Sequence, residues 1–261
     1  MTATSRILTM YRTQARYEWL KFARMPVYLI TLLCVPMLFY LSTGSNQRMP
    51  PLTEGISTRL YLLTTLGTFA TFGIALFGFG VGSAIERGQG WIRTLRPAPI
   101  SPWVPVVGKL VVSTTLTAVA VLLLLLEATV VFGVRLPLTT ASLLLLTLVG
   151  CSIPLSSIGL ALGSLIGPNS APLILVILYL FVSSISGIVV PMQMVARGNP
   201  MLADIAPLWP TYHAGQLALS VVRPASFNTI LIHIIVLAGY LIGALAIAVW
   251  ARRRSEAQTF G

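Results

Sequence analysis

From Leu136 to Ala196 the chain runs for 61 consecutive residues without an Asp, Glu, Lys or Arg. At a rise of about 1.5 Å per residue, one bilayer crossing needs about 20 apolar residues, so this run is too long for a single span. It is interrupted at Gly167-Pro168-Asn169-Ser170, which reads as a tight turn between two membrane helices. Uncharged runs elsewhere repeat the pattern. Together they predict an all-α polytopic membrane protein with six transmembrane helices, at about residues 25–42, 60–85, 104–134, 136–166, 171–190 and 229–250. One acid, Glu127, falls inside the third span.

The stretches between the spans carry their own patterns. In residues 1–24, Leu8, Tyr11, Ala15, Trp19 and Phe22 share one helical face, while Arg6, Arg12, Arg16 and Arg24 lie elsewhere on the wheel. A basic helix with an aromatic stripe predicts an N-terminal interfacial amphipathic helix in the headgroup plane, with Glu18 bordering its apolar face. Residues 191–223 hold Pro191, Pro200, Pro207 and Pro210 among Met192, Met194, Met201, Leu202, Ile205 and Leu208. That mixture is too apolar for a surface loop. It predicts either short helices re-entering the membrane or an external cap packed on the helix ends.

Lys and Arg set the orientation. Six spans place residues 1–24, the connection after the second span and the tail 252–261 on one side, with twelve basic residues against five on the other. The positive-inside rule then makes both termini cytoplasmic.

Composition removes most other function classes. Hydrophobic residues make up 56% and charged residues 9%, where a soluble domain has about 25% charged residues. The net charge of +11 comes from short basic groups flanking apolar runs, the pattern of topology signals and contacts with anionic membrane lipids rather than of nucleic-acid binding. Cys34 and Cys151 lie in apolar runs and read as packing residues. No cleavable signal peptide is expected, because the first apolar run follows a long basic stretch. Neither a phosphate loop nor a zinc-protease or nucleophile-elbow motif is present, and no His/Cys cluster points to a metal. His213 and His233 stand isolated in the sequence. The six acids are dispersed, so no catalytic constellation or bound cofactor is expected.

The most informative connection is Glu86–Trp103, after the second span. Charges at Glu86 and Arg87 stop the span; Trp91, Ile92 and Leu95 then fall on one helical face with Arg93 and Arg96 on its flank. Pro97, Pro99 and Pro102 end any helix and stiffen the return to the membrane. Such a short amphipathic helix can dock into a cytosolic partner. Phe69, Phe72 and Phe77 on the second span, with Glu127 on the third, are candidates for lining a transport path, although aromatic residues at such spacing also serve helix packing.

These features resemble the type-2 ATP-binding-cassette export permeases. The matching residues are Glu86, Arg87, Gly90, Leu95, Pro99-Ile100-Ser101 and Gly108-Lys109, with Gly187 to Pro191 after the fifth span and Pro210-Thr211-Tyr212-His213 before the last. Length and order resemble the drug and natural-product, daunorubicin-resistance-like branch. Gly88 and Trp91 depart from the family pattern, which usually has a second acid and a Thr there.

The resemblance implies a permease subunit that is not itself an enzyme. It would pair with a second permease copy or a paralogue and dock on separate ATPase subunits that bind ATP and magnesium. The coupling segment 86–103 would carry Glu86, Arg87, Gly90, Trp91, Ile92, Arg93, Leu95 and Arg96, and an external re-entrant segment would carry Gly187, Pro191, Pro210, Tyr212 and His213. The competing expectations are a secondary transporter or channel working through Glu127, and a non-transporting membrane scaffold.

Overall fold

The computed structural model describes residues 3–45, 56–90, 101, 103–223 and 225–257. The elements are helices: α1 (Ala3–Ala23), α2 (Pro26–Gly44), α3 (Thr58–Gly73), a π-helical stretch (Ile74–Val81), α4 (Gly82–Gly88), α5 (Trp103–Val130), α6 (Leu138–Leu165), α7 (Ala171–Ile185), α8 (Met192–Gly198), α9 (Pro200–Ile205), a 3-10 turn (Ala206–Leu208), α10 (Pro210–Val222) and α11 (Phe227–Ala257). Among the described residues, five helices are long and apolar enough to cross a membrane: Pro26–Gly44, Thr58–Gly88, Trp103–Val130, Leu138–Leu165 and Phe227–Ala251. The stretch predicted as a span over 171–190 is helical only to Ile185, 15 residues or about 22 Å long. It ends because Gly187 takes a positive φ of +75°, which turns the chain into segment 191–223.

Local chemistry explains the boundaries. Pro26 and Pro172 occupy first-turn positions of α2 and α7, where their missing N–H costs nothing. Ser57 caps α3 by accepting a hydrogen bond from the Leu60 N–H at 3.3 Å. Pro36 and Pro154 lie inside α2 and α6, as membrane helices allow when neighbours cover the freed carbonyls.

The core is the continuous helix Thr58–Gly88. Its most apolar stretch is 89% buried, whereas those of Pro26–Gly44 and Phe227–Ala251 are 17% buried. Small residues permit this centrality. A Cβ on Gly159 of α6 would stand 2.1 Å from the Ala75 carbonyl oxygen, and one on Gly163 would stand 2.2 Å from that of Gly80. The two backbones therefore touch along a Gly-x-x-x-Gly face, the close approach on which membrane helices rely for dispersion contacts. The contacted stretch is the π-helical one, whose wider turn breaks the ordinary hydrogen-bond ladder. Buried hydroxyls in α3 are satisfied locally. Thr64 donates to Leu60 O at 2.8 Å and Thr71 to Gly67 O at 2.8 Å. Around this centre α6 packs against α3, the π-helical stretch, α5, α10 and α11, and α1 lies along α5.

The stripe expected on α1 divides between two environments. Phe22 is 1% exposed and its ring stands 5.7 Å from that of Phe79, whereas Leu8 is 70% exposed.

Candidate functional site

At one end of the bundle, the last turn of α4 meets α1 and α5 through charge. Lys109 of α5 donates to both carboxylate oxygens of Glu86, at 3.0 and 2.7 Å, and its ammonium lies 3.2 Å from Glu18 of α1. Lys21 of α1 pairs with Glu18 at 3.0 Å and also with Glu86. Two carboxylates and two ammoniums thus alternate and cancel. Glu18 and Lys109 are 6% and 7% exposed, so each charge depends on its partners for the solvation that burial removed. Glu18, which by sequence only bordered the apolar face, is the inward acid of this network. The readable signal was an acid with Lys21 three residues on; the joining of Glu18 to Lys109 is tertiary.

Arg87 faces away from that network. Its guanidinium donates to the carbonyls of Ser164 and Ile166, at the end of α6. Terminal carbonyls of a helix lack partners within it and carry partial negative charge, so a cation there satisfies both needs. Gly88 explains its own departure from the family pattern. A Cβ at this position would stand 2.6 Å from Pro168 Cγ, in the turn between α6 and α7, leaving no room for an acid. Gly90 ends α4 with φ +73°, and its N–H donates to Arg87 O at 3.1 Å. Ser101 opens α5, its hydroxyl accepting from the Trp103 N–H at 3.4 Å. Glu86, Arg87 and Gly90 are therefore brought together. Trp91, Ile92, Arg93, Leu95 and Arg96 lie outside the described residues.

The path candidates fall in two places. Phe69 and Phe72 are 1% and 3% exposed, and together with Phe77 they surround the Tyr179 ring of α7, at 4.5, 5.6 and 5.1 Å. Tyr179 also donates its hydroxyl to Phe69 O at 3.1 Å. Glu127 stands apart, about 27 Å along α5 from Lys109 at the helical rise. It is 8% exposed, and its Oε2 has no hydrogen-bond partner among the described residues. Arg59 lies at the same end but donates elsewhere, to Gly44 O at 3.3 Å and Phe132 O at 3.0 Å.

The opposite end holds the segment 191–223. Gly187 O accepts from the Tyr61 hydroxyl at 3.3 Å, and Ser186 and Thr211 share a hydrogen bond of 2.7 Å. Pro191 precedes α8, and Pro210 starts α10, which packs among α3, α6 and α11. The histidines are not isolated, contrary to the sequence expectation. His213 Nδ1 lies 2.8 Å from His233 Nδ1, and His213 Nε2 lies 2.8 Å from Pro207 O. A carbonyl only accepts, so His213 carries its proton on Nε2; in the neutral pair its Nδ1 then accepts from the Nδ1–H of His233. Tyr212 packs edge-on to both rings, at 5.4 and 6.1 Å. Twenty residues separate the two histidines, and only the return of α10 against α11 joins them.

The sequence profile of the family described as ABC-2 type transporter matches residues 9–222, from within α1 to the end of α10. Among curated proteins, none matches the chain.

Proposed function

The chain belongs to the ABC-2 type transporter family, and from that premise we propose that it is the permease subunit of an exporter driven by separate ATPase subunits. Its cargo would be an amphipathic drug or natural product, as in the daunorubicin-resistance-like branch that its motifs resemble, with a lipid or polysaccharide as the alternative; a drug cargo would make it an antibiotic-resistance efflux component. Two permease copies, or this chain and a paralogue, would flank the path in a bacterial inner membrane, with both termini cytoplasmic.

The observation that carries the coupling role is the bracing of α4. Glu86 is tied to α1 and α5, Arg87 to the end of α6, and Gly90 turns the chain out immediately afterwards. A push on residues 91–102 from an ATPase would thus be delivered to three helices at once. Trp91, Ile92 and Leu95 would fill an apolar groove on that partner, and loss of a buried aromatic anchor commonly costs about 2 kcal/mol or more. Arg93 and Arg96 would orient the contact and make it salt-sensitive.

The double variant Trp91→Ala, Leu95→Ala tests this reading. It is expected to insert normally while losing ATPase co-purification and export. Normal binding and normal export in that variant would reduce the segment to a positive-inside connector.

A further inference from the structure

We propose that the groove between α1 and the adjoining ends of α4 and α5 binds an anionic phospholipid of the cytoplasmic leaflet; this rests on the reading that this end of the bundle faces the cytoplasm. The groove has a volume of about 850 Å³, in the range of small-molecule sites. Its walls include Met10, Tyr17, Leu20 and Met25 of α1 and the segment just after it, and Glu18, Lys21 and Glu86 line its inner side.

Charge decides the sign of the occupant. Both carboxylates are already engaged by Lys21 and Lys109, so nothing remains for a cation to bind. The four charges of that network cancel, so what remains for an occupant is a spare N–H donor on Lys21 and the charge of Arg24. An ammonium has three N–H donors, and Lys21 gives one each to Glu18 and Glu86, leaving a third on a side chain that is 30% exposed. Arg24, three residues on and just past the end of α1, also lines the groove, and its side chain has no partner among the described residues. An ammonium proton and a guanidinium one turn apart suit a phosphate diester, which accepts charge-assisted hydrogen bonds from both. The Met, Leu and Tyr walls suit the start of an acyl chain. A basic helix in the headgroup plane meets anionic phospholipid at high local concentration, which makes a membrane lipid the occupant rather than a soluble phosphate.

The test uses the full chain in mild detergent. Phosphatidylglycerol and phosphatidylcholine are added in equal amounts, and retained lipid is read by native mass spectrometry. The wild type is expected to keep about one phosphatidylglycerol in preference to phosphatidylcholine. Arg24→Gln is expected to lower retention about fivefold, the usual effect of one basic group at a membrane surface, and Arg24→Glu to abolish it. Arg197→Gln, at the opposite end, should change nothing. Circular dichroism of the variants checks that helix content is kept. Equal retention of the two lipids, unchanged retention in Arg24→Glu, or displacement by soluble glycerol phosphate would each overturn the assignment.

Since no ATPase takes part in this measurement, the two readings fail separately. Lipid lost from a chain that still co-purifies with an ATPase sinks only the lipid site; lipid retained by a chain that recovers no ATPase from its native membranes sinks only the transport reading.

Discussion

At the scale of single residues, one end of the bundle is held by charges that have left water. Lys109 is enclosed by Glu18 and Glu86, so Lys109→Met leaves two carboxylates sharing Lys21. Removing one member of a buried ion network costs about 3–5 kcal/mol. A clear drop in melting temperature in detergent is expected, with partial recovery when Glu86→Gln is added, because the surviving Glu18–Lys21 pair is then balanced. A melting temperature equal to wild type in Lys109→Met would show the network to be solvated. Glu127 poses the opposite problem, a buried oxygen with no partner among the described residues. Glu127→Gln is expected to keep assembly and ATPase binding but reduce export. Unchanged export would remove it from the transport path. Sequence reading identified Glu86 and Arg87 because charges that stop a span are conspicuous in an apolar chain. It could not pair Glu18 with Lys109, because 91 residues separate them and neither position is unusual for its own segment.

At the scale of elements, the central contact is α6 against the π-helical stretch. Gly159→Leu would drive a side chain into the Ala75 carbonyl, and overpacking of a filled site costs about 1–3 kcal/mol or more. Aggregated or strongly destabilised protein is expected by size-exclusion chromatography and thermal melting. Gly150, on the same helix with nothing within 4 Å of its Cβ position, provides the control: Gly150→Ala should be neutral or stabilising by about 0.4–1 kcal/mol. Equal behaviour of the two variants would contradict the crossing. Helices were legible as long uncharged runs, and the tight turn at 167–170 as Gly-Pro-Asn-Ser. The π geometry was not, because Ile74–Val81 is apolar on every side and offers no periodicity from which to read the winding. The Gly-x-x-x-Gly at 159–163 was a readable signal for the crossing, although it names no partner helix. The segment 191–223 was legible as proline-punctuated and apolar. The seating of α10 among α3, α6 and α11, and with it the histidine contact, depends on how the chain folds back.

At the scale of the whole molecule, the proposed exporter needs both an orientation and a motor. The twelve-to-five distribution of basic residues predicts that reporter fusions at Gln47, Thr140 and Arg197 read external and those at Gly90, Asn169 and Gly261 read internal. An external C-terminus would invert the proposed coupling end. Family membership accounts for the missing phosphate loop only if ATP is hydrolysed on another chain. The most direct measurement is therefore isolation of the tagged full-length chain from its native membranes in mild detergent, with mass spectrometry of what accompanies it. The account predicts a phosphate-loop ATPase in near-stoichiometric amount, with ATP hydrolysis in the purified complex. Recovery of an intact, folded permease with no such ATPase would contradict it.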